Sequence, residues 1–280
     1  MPNTPSCVFI SISLCLFLLG ACSSEYNSDP ASSGKSAAGS NIKVVSHRGL
    51  GCCAPENSLI AVRRAIETHG ADQVEIDVRL SKDKVAVAVH DANFSRISTS
   101  PDRVAELDWS EIQAIDIGSP VDEDFRGATP ASLTSILRYI EQQEAEIYID
   151  IKTRNMADSI KASITDSGIS LHRIWFWSGN NKNLWQLNRV LDSPQLLVSA
   201  PDSSLWHDPD YWQQLKDRHV VGFSIHYQGL DPAFIQLAKQ QGMMIDAYTV
   251  NAEEDMAAVI ALGVDSIETD YPQRLRKLLP

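Results

Sequence analysis

Glu75 and Asp77 stand two positions apart in QVEIDVR (73–79). In an extended strand, positions two apart share a face. Val74, Ile76 and Val78 then face the other way, toward apolar packing. Two carboxylates on one buried face repel each other, and burial penalises both charges. A hard cation between them, Mg2+ or Ca2+, relieves that repulsion. Ion pairing near a rim relieves it as well. The segment IYIDIK (147–152) repeats the alternation, with Ile147, Ile149 and Ile151 on one face and Tyr148, Asp150 and Lys152 on the other. Asp150 is therefore either a third carboxylate ligand or one half of an Asp–Lys pair. Lys152 shares its face and could meet a phosphate oxygen.

Two imidazoles accompany the acids. Ala86, Ala88 and His90 share one face of a strand over 85–90, so His90 is expected at that strand's C-terminal end. A lone His there serves either structure or proton transfer. Ser46-His47-Arg48-Gly49 closes the first strand and sets an imidazole beside a guanidinium, whose fork suits a phosphate. Gly49 permits a sharp exit of the backbone.

The elements that must position these groups alternate. Strand-like runs occur at 42–46, 73–79, 85–90, 147–152, 173–177, 196–199, 221–225, 243–249 and 264–268. Helical patterns follow most of them, as at 57–68, 131–143, 181–192, 231–241 and 252–262. Repeated strand-then-helix units predict a parallel sheet with helices outside. About eight units over 42–280 predict a (β/α)8 TIM barrel, with one strand too many and no sign of which lies outside. An open doubly wound sheet is the rival, but no Gly-rich phosphate loop supports it. The stretch 91–130 breaks the rhythm and reads as a small insertion after the third strand.

The rest of the chain bounds the setting. A formal net charge of −12 argues against a nucleic-acid partner. An anionic substrate must then be drawn by a local cation or Arg. Residues 8–21 form an uncharged apolar run, too short to span a bilayer but suited to a signal peptide. The run ends Leu19-Gly20-Ala21-Cys22, which resembles a bacterial lipobox, although no Lys or Arg precedes it. In that reading 1–21 is removed, Cys22 is lipidated, and 22–41, rich in Ser, Ala and Gly, is a flexible tether. The mature protein would sit in the cell envelope, on the outer membrane facing the periplasm in a Gram-negative host. Cys7 and Cys15 leave with the signal, so only Cys52 and Cys53 stay in the folded part. Two free thiols are expected there, because a bridge between neighbours is strained.

Five segments together resemble one family. They are HRGLGCCAPENS (47–58), GADQVEIDVRLSKDKVAVAVHD (70–91), TPASLTSILRYI (129–140), YIDIK (148–152) and the pair IDAYTVN with GVDSIETDYP (245–251, 263–272). In order they resemble the signatures of glycerophosphodiester phosphodiesterases, over about 43 to 275. The resemblance implies a (β/α)8 barrel and one divalent cation, Mg2+ or Ca2+, held by Glu75, Asp77 and Asp150. Glu56 is implied close by, as a ligand or in support of one. His47 and His90 are implied as the acid–base pair, with Arg48 and Lys152 on the phosphate. Asp150 departs from the Glu of most members, and Tyr248 from the Trp of many. Venom-type sphingomyelinase D relatives share the Asp, but the His47-to-Glu75 gap and the TDYP ending resemble the bacterial glycerophosphodiesterases.

The implied reaction converts a glycerophosphodiester into glycerol 3-phosphate and an alcohol. A phospholipase D-type cleavage of lysophospholipid or sphingolipid, through a cyclic phosphate, is the alternative. Trp109, Trp175, Trp177, Trp185, Trp206 and Trp212 would then be candidates for an apolar entrance, though core packing is expected for most. A non-catalytic binding lipoprotein is the reading of another class, and the retained acids and imidazoles argue against it.

The lipid anchor has a direct test. Cys22→Ala should abolish fatty-acid labelling and release the protein from the detergent phase. Unchanged labelling and membrane attachment in that variant would remove the anchor.

Overall fold

The computed structural model describes residues 42–280, so the apolar run 8–21, Cys22 and the tether 22–41 lie outside the described residues. Nine strands and nine α-helices follow one another from there. The strands are β1 (Lys43–Ser46), β2 (Gln73–Leu80), β3 (Ala86–Ala88), β4 (Glu146–Ile151), β5 (Ile174–Trp177), β6 (Gln195–Val198), β7 (Val220–His226), β8 (Met244–Tyr248) and β9 (Ser266–Thr269). The helices are α1 (Leu59–Glu67), α2 (Trp109–Ile112), α3 (Leu133–Glu141), α4 (Ala157–Ser167), α5 (Asn181–Leu187), α6 (Pro209–Lys216), α7 (Pro232–Gln240), α8 (Glu253–Leu262) and α9 (Pro272–Leu278). None of the described helices is long and apolar enough to cross a membrane.

Eight strands are parallel and close a ring in the order β1, β2, β4, β5, β6, β7, β8, β9, with β9 returning to β1. The (β/α)8 barrel is thus observed. The supernumerary strand is β3. It runs antiparallel to β2, pairing Val78 with Ala88 and Leu80 with Ala86. β1 pairs with β2 only at Gln73 and Val74, so the upper part of that β2 edge is open to β3. A five-residue turn after Leu80 folds the chain back on itself, closed by bonds between Ser81 and Val85. The insertion follows β3, and its Phe94, Val104 and Ile112 pack with Val87 and Val89 in a small separate apolar cluster.

Strand alternation decides what lies where. Val74, Ile76, Val78, Ile147, Ile149 and Ile151 are fully or nearly buried between barrel and helices, where the main core sits. The barrel interior holds only a small apolar plug around Val45, Tyr148 and Leu197. Tyr148 stacks on Trp175 with ring centroids 5.8 Å apart. Polar side chains fill the space above the plug. Asp246 accepts hydrogen bonds from Ser224 and Ser266 at 2.7 and 2.6 Å, and Tyr148 Oη lies 3.2 Å from Ser266 Oγ. The tryptophans mostly pack in the wall. Trp212 is buried against Phe223 and Phe234, and Trp206 also rests on Phe234.

One expectation is corrected in the β1–α1 loop. Cys52 and Cys53 are joined to each other by a disulfide, rather than being free thiols. The loop turns tightly there, with the Cys53 and Ala54 amides both donating to Leu50 O. That turn brings the neighbouring sulfurs together.

Close packing between β7 and β8 makes a stability prediction. A Cβ on Gly222 would fall 2.3 Å from Met244 Cγ and 2.4 Å from Met244 O. The carbonyl belongs to the adjoining strand, so it cannot yield without disturbing the register of Gly222 with Met244. Gly222→Ala should cost about 1–3 kcal/mol through overpacking. Denaturant unfolding should show a lower midpoint with an unchanged slope.

Candidate active site

Sequence and local geometry build the site from four loops. Arg48 and Gly49 both take left-handed backbone angles, φ 52° and φ 80°. The conformation suits Gly49, whose added Cβ would sit 2.9 Å from Ala61 Cβ on α1. The turn is pinned to β2, because the Arg48 amide donates to Glu75 Oε2 and the Gly49 amide to Glu75 O, both at 2.9 Å. The PENS segment then does three separate things. Glu56 accepts from Arg48 Nη1. Asn57 exchanges a pair of bonds with Asp77, side chain to carboxylate at 2.8 Å and Asp77 amide to Asn57 Oδ1 at 2.9 Å. Ser58 caps α1 by accepting from the Ala61 amide.

β2 and β4 bring the acids together. Asp77 and Asp150 are direct partners in the parallel ladder, two positions above Glu75 and Tyr148. Carboxylate oxygens of Glu75, Asp77 and Asp150 all lie within 4.8 Å of one another. Lys152 Nζ pairs with Asp77 Oδ1 at 2.9 Å and also with Asp150 Oδ2. Asp150 Oδ1 is buried and has no hydrogen-bond partner among the described residues. Three clustered acids with one orphaned buried oxygen fit a hard cation.

Two imidazoles flank the acids. His47 Nδ1 lies 2.7 Å from Asp270 Oδ1. Asn251 holds Asp270 in turn, donating to Oδ2 at 2.7 Å and accepting the Asp270 amide at 2.9 Å. His90 Nδ1 lies 2.7 Å from Asp91 Oδ1. A carboxylate only accepts, so each ring carries its hydrogen on Nδ1 and keeps Nε2 for chemistry. His90 does reach the site, but not from the end of a barrel strand as expected. It follows β3, outside the ring, which runs back down β2 until the Val89 amide donates to Asp77 O. Arg79 Nε secures the turn by donating to His90 O at 2.7 Å.

These groups enclose a cavity of about 200 Å³ with Trp177, Tyr248 and Glu268 in its walls. Trp177 is the one tryptophan that lines it. Arg48 reaches in with Nε 3.2 Å from His47 Nε2 and 3.5 Å from Asp77 Oδ2. Glu56 stands apart from the acid cluster, since both its oxygens are engaged by Arg48 and Arg96.

Residues 47–274 match the Glycerophosphoryl diester phosphodiesterase family. The chain belongs to that family. A glycerophosphodiester phosphodiesterase of Caldanaerobacter subterraneus is 27% identical over 241 residues, 84% of this chain and 97% of that protein. The structure of a glycerophosphodiester phosphodiesterase from Agrobacterium tumefaciens is 25% identical with a TM-score of 0.72, covering 84% of this chain and 99% of that one. An Oleispira antarctica phosphodiesterase, in complex with the product sn-glycerol-3-phosphate, shares the fold at 23% identity and a TM-score of 0.73, covering 84% and 96%. As a glycerophosphoryl diester phosphodiesterase family member, the chain is a phosphoric diester hydrolase and not a non-catalytic binding protein.

In this family member, the site holds residues beyond those expected from the sequence. Glu268 is buried, with Oε1 3.7 Å from His47 Nε2, and His47, Glu75 and Glu268 form a second close cluster. Alternation in DSIETD was the available signal, since Ile267 faces the helices and Ser266 and Glu268 must face inward. Asn57, Asp91, Asp270 and Arg96 touch site residues and do not line the cavity, and nothing in their spacing announces those contacts.

Electrostatics in the cluster are dominated by burial. Burial pushes Asp150 up to about 7, with Asp77 adding and Lys152 opposing. It pushes Glu268 up to about 8, with His47 opposing and Asp246 adding. Glu75 is held well above the usual range by burial and by Asp77, Glu268 and Asp150. Asp77 feels the same burial, but Lys152 and Arg48 outweigh it and hold the carboxyl low. Burial would lower His47, yet the bond to Asp270 and the charge of Glu268 raise it.

A pH dependence of stability follows. Between pH 5 and 8 the folded protein without cation gives up protons from Asp150, at about 7, and Glu268, at about 8, that the unfolded chain has already lost, and Glu75, also raised, adds in the same direction. Stability must therefore fall as pH rises through that window. His47, raised, pulls the same way. Asp77, Glu56 and Asp270, held low, act only in more acid solution. Unfolding in chelator should show a lower midpoint at pH 8 than at pH 5, and Mg2+ or Ca2+ should recover more at pH 8. Equal midpoints in chelator would contradict this picture of the cluster.

Proposed function

We propose that the chain hydrolyses glycerophosphodiesters to sn-glycerol 3-phosphate and an alcohol by acid–base catalysis with His47 and His90, dependent on a divalent cation, Mg2+ or Ca2+. The observation that carries this is the pairing of two imidazoles, each locked by its own carboxylate, around one acidic cavity. Product bound in the Oleispira relative supports the same product here.

Glu75, Asp77 and Asp150 would hold the cation. Bound there, it would neutralise phosphate charge and polarise the phosphoryl group. Arg48 and Lys152 face the same cavity and bind non-bridging phosphate oxygens. One imidazole takes the proton of the attacking water as its oxygen bonds to phosphorus. The other protonates the alkoxide oxygen as its bond to phosphorus breaks. Asp270 and Asp91 hold each ring with its hydrogen on Nδ1 and stabilise the imidazolium when it forms. Tyr248 and Trp177, with centroids 5.4 Å apart, wall one side and exclude water. Cleavage of lysolipids receives less support, because the tryptophans other than Trp177 do not form an entrance to the cavity. The proposed site of action is the cell envelope, reached through the Cys22 anchor.

The reaction and its site are tested together. The full chain should release sn-glycerol 3-phosphate from glycerophosphodiesters and lose that activity in chelator. His47→Ala and His90→Ala should each lower turnover by about 10²–10⁴ with folding retained. Asp150→Asn keeps the shape but removes one charge, so it should weaken cation affinity and be partly rescued by excess cation. Asp150→Asn with undiminished affinity would exclude Asp150 as a ligand, and normal turnover of either His variant would exclude that imidazole.

A further inference from the structure

Arg96 lies in the insertion, six residues beyond His90, with its side chain about half exposed. All three guanidinium nitrogens are used. Nη1 and Nη2 donate to Glu56 Oε2 and Oε1, both at 2.7 Å. Nε donates to Asp91 Oδ2 at 2.6 Å. Each of these carboxylates has a second partner in the cavity wall. Glu56 accepts from Arg48 Nη1 at 3.2 and 3.3 Å. Asp91 Oδ1 accepts from His90 Nδ1 at 2.7 Å.

One guanidinium is thus the junction of two chains of contacts. One runs through Glu56 to Arg48 on the β1–α1 loop. The other runs through Asp91 to His90 on the turn after β3. We propose that Arg96 is a positioning residue for phosphodiester cleavage, fixing Arg48 and His90 at once through Glu56 and Asp91. The inference rests on the roles given to Arg48 and His90 in the proposed reaction.

The chemistry requires Arg in particular. Its planar fork meets Glu56 with two parallel bonds and leaves Nε for Asp91. A Lys would keep the charge but could not hold both carboxylates in one geometry. As a stabiliser of the fold, a half-exposed pair contributes little. As a geometric constraint it matters more, because small misplacements of reacting groups cost large factors in rate. Asp77 also touches both sides, with its carboxylate near Arg48 Nε and its carbonyl accepting the Val89 amide, but that second contact holds the backbone and not the His90 ring.

Steady-state kinetics of the full chain test this. Arg96→Ala should lower kcat/KM by about 10–100-fold while the thermal midpoint hardly moves. Arg96→Lys should recover part of the loss. Two further variants separate the branches: Glu56→Gln should mainly raise KM, and Asp91→Asn should mainly lower kcat. Placed in His90→Ala or Arg48→Ala backgrounds, Arg96→Ala should cost less than in the parent, since one of its two targets is gone. Parental kinetics in Arg96→Ala would overturn the inference, as would the same fold loss in all three backgrounds. Normal turnover of both His90→Ala and Arg48→Ala would instead overturn the reaction on which it rests.

Discussion

Four carboxyl groups, from Glu75, Asp77, Asp150 and Glu268, are buried at one mouth of a barrel. Burial penalises each charge and their proximity penalises the set. Whatever surrounds them must supply positive charge or donors at short range. The barrel does so unevenly. Asp77 receives Lys152, Arg48 and Asn57 and stays ionised, while Asp150 and Glu268 are left with partial compensation and rise toward neutrality. Such an arrangement is poor for folding and good for holding a cation, and the stability of the domain has to come from elsewhere.

It comes from the opposite face of the same strands. The residues between the acids, Val74, Ile76, Val78, Ile147, Ile149 and Ile151, are the ones that bind the helical layer to the barrel. Each strand of this kind thus does two jobs with one alternating pattern. A one-residue slip would exchange them, burying carboxylates among helices and presenting isoleucines to the phosphate. The costliest polar groups therefore sit on the strands with the most demanding apolar partners, which makes the wrong register doubly unfavourable.

That coupling also explains what the sequence could disclose. The barrel, the outward isoleucines and the inward Glu75, Asp77 and Asp150 were legible because period two records them directly. Glu268 obeyed the same rule and could have been found by it. β3 was visible as an apolar run, but its direction was not. A three-residue strand after a short turn carries no mark of whether it continues the parallel order or folds back. The Cys52–Cys53 bond was likewise invisible, because it depends on the local turn at Leu50 and not on residue type. Asp270 and Asp91 share this character. Their meaning lies in contacts to His47 and His90, one of them across 223 positions of sequence.

Loops usually give mobility, yet the loops here carry the most exacting geometry in the molecule. The difference lies in how they end. The β1–α1 loop binds directly to strand β2, through the Asn57 side chain on Asp77 and the Arg48 backbone amide on the Glu75 carboxylate. The loop after β8 binds the loop after β9, through Asn251 on Asp270. These bonds run to groups already buried or already in the site, so they are shielded from water and hold better than exposed ones. The acids that burden the fold are thereby the fixed points to which the catalytic loops are fastened. Glu75 and Asp77 at the top of β2 hold the turn that carries His47 and Arg48 from one side, and Thr269 O on β9, which accepts the His47 amide, holds it from the other.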